Sequence, residues 1–548
     1  MAGQAGGPNP AVSWASAPLM IVFRVMSSPT RRSLLQTAAF LIPSLPAVSW
    51  STAPGASATK PKRITDVVLD LNALHKWDNS NGDTWDPFWA DDDNLYAFNC
   101  DGRGFGKAPR NLAFNKLTGL SPRTLSGAMV NTMDEYGVSG KKEADKATWK
   151  ACGQECIDSV FYAFVSRNAY GSDSGDYWLR QTAFNCSLIK STDKGLTWSR
   201  TAAENYAHPM WPGPVFGAPF FVHYGKNGGN VKQDGADRYV YAASTNGFWN
   251  DGDRYILGRV LRKKLPELDA ADWQYFIGSA GNGAGGDGNE AKSWSSSIRD
   301  AQPIIDQRTH CGQSGPCYIP ALGLYLMVVW YNTEKMTKWF EPNEMKYDFY
   351  QAPHPWGPWT EVHSYSDRFL SAGHMYGPSL CAKFQRTKGT DVCLTLFTSG
   401  CPFDDVPAGM YKAWSIPVIV RTAPVVRSVM VASGDPRVVY SGDWTPSSEG
   451  RLLGPVRQTS TPNASAELSF HGVGVDVLAD KKTGFGALDI FLDGALVHTA
   501  NLAVENLPRL CGVTVFRSAT LKTGAHRIRV VNKGASAVVV DAFQVYGG

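Results

Sequence analysis

The sequence predicts an all-β protein in which a five-bladed β-propeller is followed by a β-sandwich, a jelly-roll-like accessory domain. Three observations predict it. Five short apolar segments recur along the first four-fifths of the chain, glycine and aromatic residues are abundant, and after about Arg421 the pattern changes to short alternating strands.

Taken from the N-terminus, residues 1–58 read as an address. Thr30-Arg31-Arg32-Ser33-Leu34-Leu35-Gln36 is a twin-arginine pattern, followed by an apolar run to about Leu45 and a small-residue Ala56-Ser57-Ala58 cleavage site. The run is roughly half of the ~20 residues that a membrane span needs. It reads as an export signal, with Met26 as a candidate start. The expected destination is the periplasm or the outside of the cell, and no other segment is long and apolar enough to span a membrane.

Residues 59–425 carry the repeat. Asn94–Phe98, Val160–Phe164, Tyr239–Ala243, Leu324–Val328 and Val392–Leu396 each read as a buried strand. Later in each unit comes another strand candidate: Asn111–Phe114, Ser187–Ile189, Ile256–Val260, Phe349–Ala352 and Ala413–Ile416. The units recur at about 65 to 85 residues, longer than the common repeat propellers because of their loops, and five four-stranded blades follow. Ser191-Thr192-Asp193-Lys194-Gly195-Leu196-Thr197-Trp198 matches the Asp-box of several propeller families. Its Asp closes a hairpin and its Trp packs beneath, so Asp193 is structural. Ala352 to Trp359 is expected to make a similar turn in the fourth unit.

Residues 426–443 read as a linker and 444–548 as the sandwich. Ala466–Phe470, Ala487–Gly494, His526–Val531 and Val538–Phe543 alternate apolar and polar positions between Asp-Gly and Lys-Gly turns. The stretch "LDIFLDGALVHT... LKTGAHRIRVVNKG... VVVDAFQV" resembles galactose-binding-like modules attached to bacterial carbohydrate-active enzymes. That resemblance implies either sugar binding or bracing of the neighbouring domain.

Bulk properties agree with a secreted β protein. At 548 residues with 43% hydrophobic content, the chain can bury more than one core. A formal charge of +4 is no footprint for nucleic acid. Ten cysteines suit an oxidising compartment, and Cys152 with Cys156, Cys311 with Cys317, and Cys381 with Cys393 are near enough in sequence to be expected as disulfides. Their spacing does not match a zinc site. No cofactor is expected, although a structural ion at the propeller axis is left open, and the oligomeric state is not legible.

Propeller geometry narrows the search for chemistry. One face of the disc gathers the starts of the innermost strands and the loops that leave the second strands. The repeat places there Asp83, Trp85, Asp86, Asn99, Asp101 and Arg103 from the first unit, with Lys150 and Arg167 from the second. Asn246, Trp249, Asn250 and Asp251 come from the third unit, Trp330 and Tyr331 from the fourth, and His374 and Tyr376 from the fifth. Paired carboxylates allow acid and base roles at a glycosidic bond, while aromatic faces stack on sugar C–H surfaces. The catalytic candidates are Asp86 as base or nucleophile and Asp101 or Asp251 as proton donor. Trp85, Arg103, Lys150, Arg167, Asn246, Trp249, His208, His374 and Tyr376 are candidates for holding substrate. Plainer readings stand beside these: Asp101-Gly102 and Asp251-Gly252 are ordinary turn dipeptides, and Asp86 precedes a proline.

Asp86-Pro87 at the opening of the first unit resembles five-bladed glycoside hydrolases of the arabinanase and arabinofuranosidase type, whose general base occupies that position. The stretches "GDTWDPFWADDDNLY", "DRYILGRVLRKKLPELDAADWQYFIG", "YIPALGLYLMVVWYN" and "YQAPHPWGPWTEVH" also resemble bacterial proteins of the domain-of-unknown-function 4185 type. The resemblance implies a secreted glycoside hydrolase acting on arabinan or another plant or bacterial polysaccharide. The proton-donating Glu of those hydrolases has no counterpart here, since Glu155 and Glu204 read as loop residues. Two alternatives stand: a polysaccharide lyase using His208, His374, Tyr376 and Arg167 on a uronic-acid glycan, and a non-catalytic glycan-binding protein.

Overall fold

A computed structural model describes residues 63–547, apart from 173–179, 230, 279–292, 335–343, 371–372, 402–408, 424–425 and 450–454. The export signal read in residues 1–58 lies outside the described residues. Among those described, no helix is long and apolar enough to cross a membrane.

Five antiparallel sheets follow one another in the order expected of propeller blades. Blade 1 runs Phe88–Trp89, Leu95–Gly102, Arg110–Thr118 and Ser126–Asn131 from its inner to its outer strand. Blade 2 is Thr148–Ile157, Val160–Ser172 and Arg180–Ser191, and its outer edge adds only a bridge between Lys190 and Ser199. Blade 3 opens with Pro219–Phe221, Tyr239–Thr245, Gly252–Leu261 and Trp273–Phe276, and extends through Trp294–Ser295. Pro303–Cys311 also pairs with its third strand. Blade 4 is Cys317–Ile319, Leu324–Asn332, Met345–Ala352 and Thr360–Ser366. The five repeated segments are all second strands, and the five later candidates are all third strands. Four strands per blade was too regular, because blade 2 has three and blade 3 has six.

Blade 5 closes the ring. Its strands His374–Lys388, Asp391–Cys401 and Ala413–Arg421 are completed by Asp66–Leu69, paired in register from Asp66 opposite Arg421 to Leu69 opposite Val418. Joining the first described strand to the last blade covers an edge that would otherwise be exposed. The alternation in this strand explains its placement: Val67 and Leu69 are buried in the core shared with blades 4 and 5.

The hairpin at 191–198 shows why Asp193 is structural. Asp193 accepts from the Thr197 N–H at 2.9 Å and from the Thr197 hydroxyl at 2.6 Å, and Trp198 packs on Phe98 and Phe114. In blade 4, residues 353–359 make the turn between the third and fourth strands, and the Gly357 N–H donates to the His354 carbonyl.

The sandwich begins earlier than expected. Ser428–Ala432 pairs with Ala542–Tyr546, and Val438–Ser441 with Ser465–Gly472, so the stretch 426–443 supplies two strands of the sandwich instead of a linker. One sheet is completed by Gly474–Lys481 and Leu510–Arg517, the facing one by Gly524–Asn532, Ala487–Leu492 and Ala495–Asn501. Alternation is plain in Ser465–Gly472, where Ala466 and Leu468 point into the core. This domain packs directly on the propeller. Leu510 bridges to Leu370, and Leu510 and Val513 share one core with Phe369 and Leu74.

The expected disulfides are not formed: Cys152, Cys156, Cys311, Cys317, Cys381 and Cys393 are unbridged. Cys152 and Cys156 lie on one strand, where a four-residue separation spans about 13 Å, beyond the ~7 Å limit for a bridge. Cys381 stands opposite Thr395, and Cys393 opposite Arg386. Cys311 belongs to the sheet of blade 3 and Cys317 to that of blade 4.

Candidate active site

Inner strands crowd together at the propeller axis. A Cβ on Gly153 would lie 2.2 Å from Phe220 Cα, and one on Gly315 would lie 2.6 Å from the Phe221 carbonyl oxygen. Glycine at these two positions lets the inner strands of blades 2 and 4 close on that of blade 3.

Inside that ring sits a fully buried polar network. His223, immediately beyond the inner strand of blade 3, places Nε2 3.1 Å from Asp86 Oδ1 and Nδ1 2.8 Å from Glu155 Oε2. Ser379 of blade 5 donates to the same Asp86 oxygen, and the Gln154 N–H donates to Asp86 Oδ2 at 3.2 Å. Four blades therefore meet through one imidazole and two carboxylates. Burial by itself opposes a charged imidazole, but Asp86 and then Glu155 outweigh it and push His223 up to about 10. Burial also raises Glu155, against the pull of His223.

Nearer the face that gathers the strand starts lies a second cluster. Lys150, on the inner strand of blade 2, contacts the Asp101 carboxylate and lies 3.9 Å from Asp83 Oδ1. The Tyr376 hydroxyl donates to Asp83 Oδ2 at 2.8 Å, and Tyr411 donates to the Asp101 carbonyl at 3.1 Å. Burial lifts the Asp83 carboxyl above the ordinary Asp range; Lys150 opposes this and the charge of Asp101 adds to it. A carboxyl whose proton affinity is raised by burial thus stands beside one held by an ammonium, a division suited to acid and base roles.

The expected residues sort clearly against this geometry. Asp101, Lys150 and Tyr376 are brought together. Asp86 is at the axis as expected, but both its oxygens are committed to His223, Ser379 and Gln154, so it is a member of the buried network instead of an available base. Asp251 is wholly buried and accepts from the Asn332 N–H, the Asn332 amide and the Asn250 amide. Burial pushes it up to about 6. Both Asp101 and Asp251 hold positive φ, 47° and 52°, although Asp101-Gly102 ends the second strand of blade 1 and is not a free turn.

The aromatic platform is not where it was expected. Trp85 is 1% exposed with its indole N–H on the Gly82 carbonyl, and Trp249 is 3% exposed, so neither offers a face to a sugar. Arg103 is tied to the Gly106 carbonyl at 2.9 Å. Asn246 closes its own loop through Asp253. Arg167 is buried against Asp145 in a forked pair, with its guanidinium 4.6 Å from the Trp149 ring centroid. His208 is exposed at the end of the short helix Ala202–Ala207, and His374 is held by Asp367 at 2.7 Å. Of the set proposed for a lyase, Arg167, His374 and Tyr376 are each engaged with a different acidic partner, and His208 is exposed on a helix end.

Glu155 and His223 were missed, for different reasons. Glu155 lies on a regular ten-residue inner strand, and Glu204 caps a helix. His223 follows Phe220-Phe221-Val222, an apolar run that conceals an axial position. The available signal was the repeat itself, since each blade owes one residue to the axis.

A five-bladed propeller with a carboxylate and lysine cluster at one end of its axis defines the class of protein. No family model matches the chain. Two curated proteins of Flavonifractor plautii are similar to short stretches of it. The A type blood alpha-D-galactosamine galactosaminidase is 32% identical over 96 residues, which is 17% of this chain and 9% of that protein. The A type blood N-acetyl-alpha-D-galactosamine deacetylase is 30% identical over 113 residues, 20% of this chain and 14% of that protein. The chain thus spans only a small part of either relative. Among solved structures, the exo-beta-1,3-galactanase of Phanerochaete chrysosporium is similar with a TM-score of 0.38 at 10% identity, covering 88% of this chain and all of that one.

Proposed function

We propose that the protein is an exported glycoside hydrolase whose active centre is the cluster of Asp83, Asp101, Lys150 and Tyr376. The observation that carries this reading is the gathering of the buried Asp83 carboxyl and the Asp101 carboxylate around one lysine. Glycoside cleavage needs one carboxylic acid to protonate the leaving oxygen and one carboxylate to activate water or to attack the anomeric carbon. Asp83 supplies the first role and Asp101 the second, with Lys150 fixing Asp101 and Tyr376 fixing Asp83. Asp86 supports them from beneath through the axial network. The twin-arginine pattern supports export, and arabinan is the first substrate to test.

The test is a screen of the chain from Thr59 onward on arabinans, galactans and uronic-acid glycans, following reducing ends and ultraviolet absorbance together. New reducing ends without absorbance, abolished in Asp83→Asn and Asp101→Asn, are expected. Absorbance that survives both substitutions would establish a lyase, and reducing ends that survive both would move the catalytic pair elsewhere.

A further inference from the structure

Near Thr84, the neighbour of Asp83, the structure buries the Gln313 amide, and with it the next side chain, Ser314, both incompletely satisfied by the described residues. Gln313 and Ser314 lie just before the inner strand of blade 4, 2% and 1% exposed, and neither Gln313 Nε2 nor Ser314 Oγ has a hydrogen-bond partner among the described residues. A buried amide or hydroxyl left unpaired costs about 1–3 kcal/mol, so such groups are retained where a ligand completes them.

The direction of the Gln313 amide is fixed. Its Oε1 accepts from the Trp330 indole N–H at 3.1 Å, its backbone N–H donates to the Trp249 carbonyl at 2.9 Å, and Nε2 must therefore point away from the indole. It points toward Gly377 of blade 5. A Cβ there would lie 3.4 Å from Gln313 Nε2 and 3.8 Å from Thr84 Cγ2, so the space over Gly377 joins the amide to the residue next to Asp83. Tyr376, on the other side of Gly377, is the donor to Asp83.

We propose that Gln313 and Ser314 are the hydroxyl-reading floor of the catalytic cluster and that the unit they take is an uncharged glycosyl residue. This deepens the hydrolase reading and rests on it for the placing of the bond to be cleaved. The floor offers two N–H donors and one hydroxyl, a set that matches sugar hydroxyl and ring oxygens. The charges around it argue against a uronate. Lys150 is matched by Asp101, Arg103 is tied to a carbonyl, Arg180 is paired with Asp253, and Asp83 and Asp251 add carboxyls and no cation. Among the described residues, the cation a carboxylate-bearing sugar would meet beside Asp83 is Lys150, already engaged by Asp101, which leaves the desolvation of a second carboxylate poorly compensated.

Saturation-transfer NMR on the full chain tests this, using L-arabinose, D-galactose, D-fructose and D-galacturonate as probes. At least one neutral sugar is expected to bind, and Gln313→Glu, which keeps the acceptor for Trp330 but loses the two donors, and Ser314→Ala are each expected to weaken it about tenfold or more. Thermal midpoints identify any variant that fails to fold, in which case Gln313→Met replaces it. Binding of galacturonate in preference to galactose, unchanged binding in both variants, or no binding across the panel would each overturn the proposal. The readout needs no turnover, so a protein that binds neutral sugars through Gln313 yet cleaves no glycan keeps the floor and loses the hydrolase reading. One that cleaves glycan but is indifferent to both substitutions does the reverse.

Discussion

His223 Nε2 lies 3.1 Å from Asp86 Oδ1 at the centre of the propeller, although the two residues are 137 positions apart in the chain. With Glu155 on its other nitrogen, the imidazole bridges two buried carboxyl groups contributed by separate blades. Its pKa rises from 6.5 to about 10 on folding. The stabilisation is therefore fully present below about pH 6.5 and is lost as pH rises through about 10. His223→Gln should cost about 3–5 kcal/mol at pH 7, because it leaves buried carboxylates without their cation. Urea unfolding from pH 6 to 10 checks both points: the wild type should weaken across that window while the variant stays nearly flat.

Asp83 holds its proton above the usual Asp range chiefly because it is buried. Activity that depends on it as an acid should fall as pH rises through that raised value. Asp83→Asn should lower kcat roughly 10²–10⁴-fold and remove the alkaline limb of the pH–rate profile. An alkaline limb that persists in residual activity of the variant would assign the acid to another group.

Asp251 and Asp101 share a positive φ but should behave differently. Asp251 is enclosed by Asn250 and Asn332, whereas Asp101 reaches Lys150. Asp251→Asn is expected to leave kcat within about threefold and to act on stability, within roughly 1–3 kcal/mol. Asp101→Asn is expected to leave the fold intact and to abolish turnover. Steady-state kinetics beside thermal unfolding of the two variants separates these roles.

In the sandwich, burial pushes Asp541 up to about 7, with Asp480 adding to the rise and Arg509 opposing it. Its Oδ2 has no partner. Stability tied to this proton is present in full below the ordinary value near 3.8 and is lost as pH rises through about 7. Asp541→Asn should raise the unfolding midpoint most at pH 8, less at pH 5, and leave it nearly unchanged below the ordinary value of 3.8. A variant less stable than wild type at pH 8 would contradict this account.

Leu510 of the sandwich is 1% exposed in the same core as Leu370 and Phe369 of the propeller. Leu510→Ala should destabilise by about 2–5 kcal/mol and lower the unfolding of both domains together. Calorimetry that resolved an unaffected propeller transition would show that the sandwich is not a brace.

Much of the architecture was legible because it is local. Each second strand of a blade is a run such as Leu324–Val328, whose apolar continuity follows from burial on both faces. Turn chemistry at Asp193 and Gly195 was equally plain. The site was legible in part: the repeat brought Asp83, Asp101, Lys150 and Tyr376 to one face, but could not say which carboxylates meet. Trp85 and Trp249 were misplaced because an aromatic side chain near an axis can face the channel or the core, and both turn to the core. The cysteine pairs failed for a similar reason, since nearness in sequence along an extended strand is distance in space.

The sequence by itself determined the strand order, the five repeats and the change to a sandwich, because these depend on periodicity and turn residues within a few tens of positions. Only the tertiary structure decided that Asp66–Leu69 closes the ring, that residues 426–443 are strands of the sandwich, that His223 joins Asp86 to Glu155, and that Asp83 rather than Asp86 stands beside Lys150. Those outcomes depend on burial and on charges brought together from four blades, and neither quantity exists until the ring is closed.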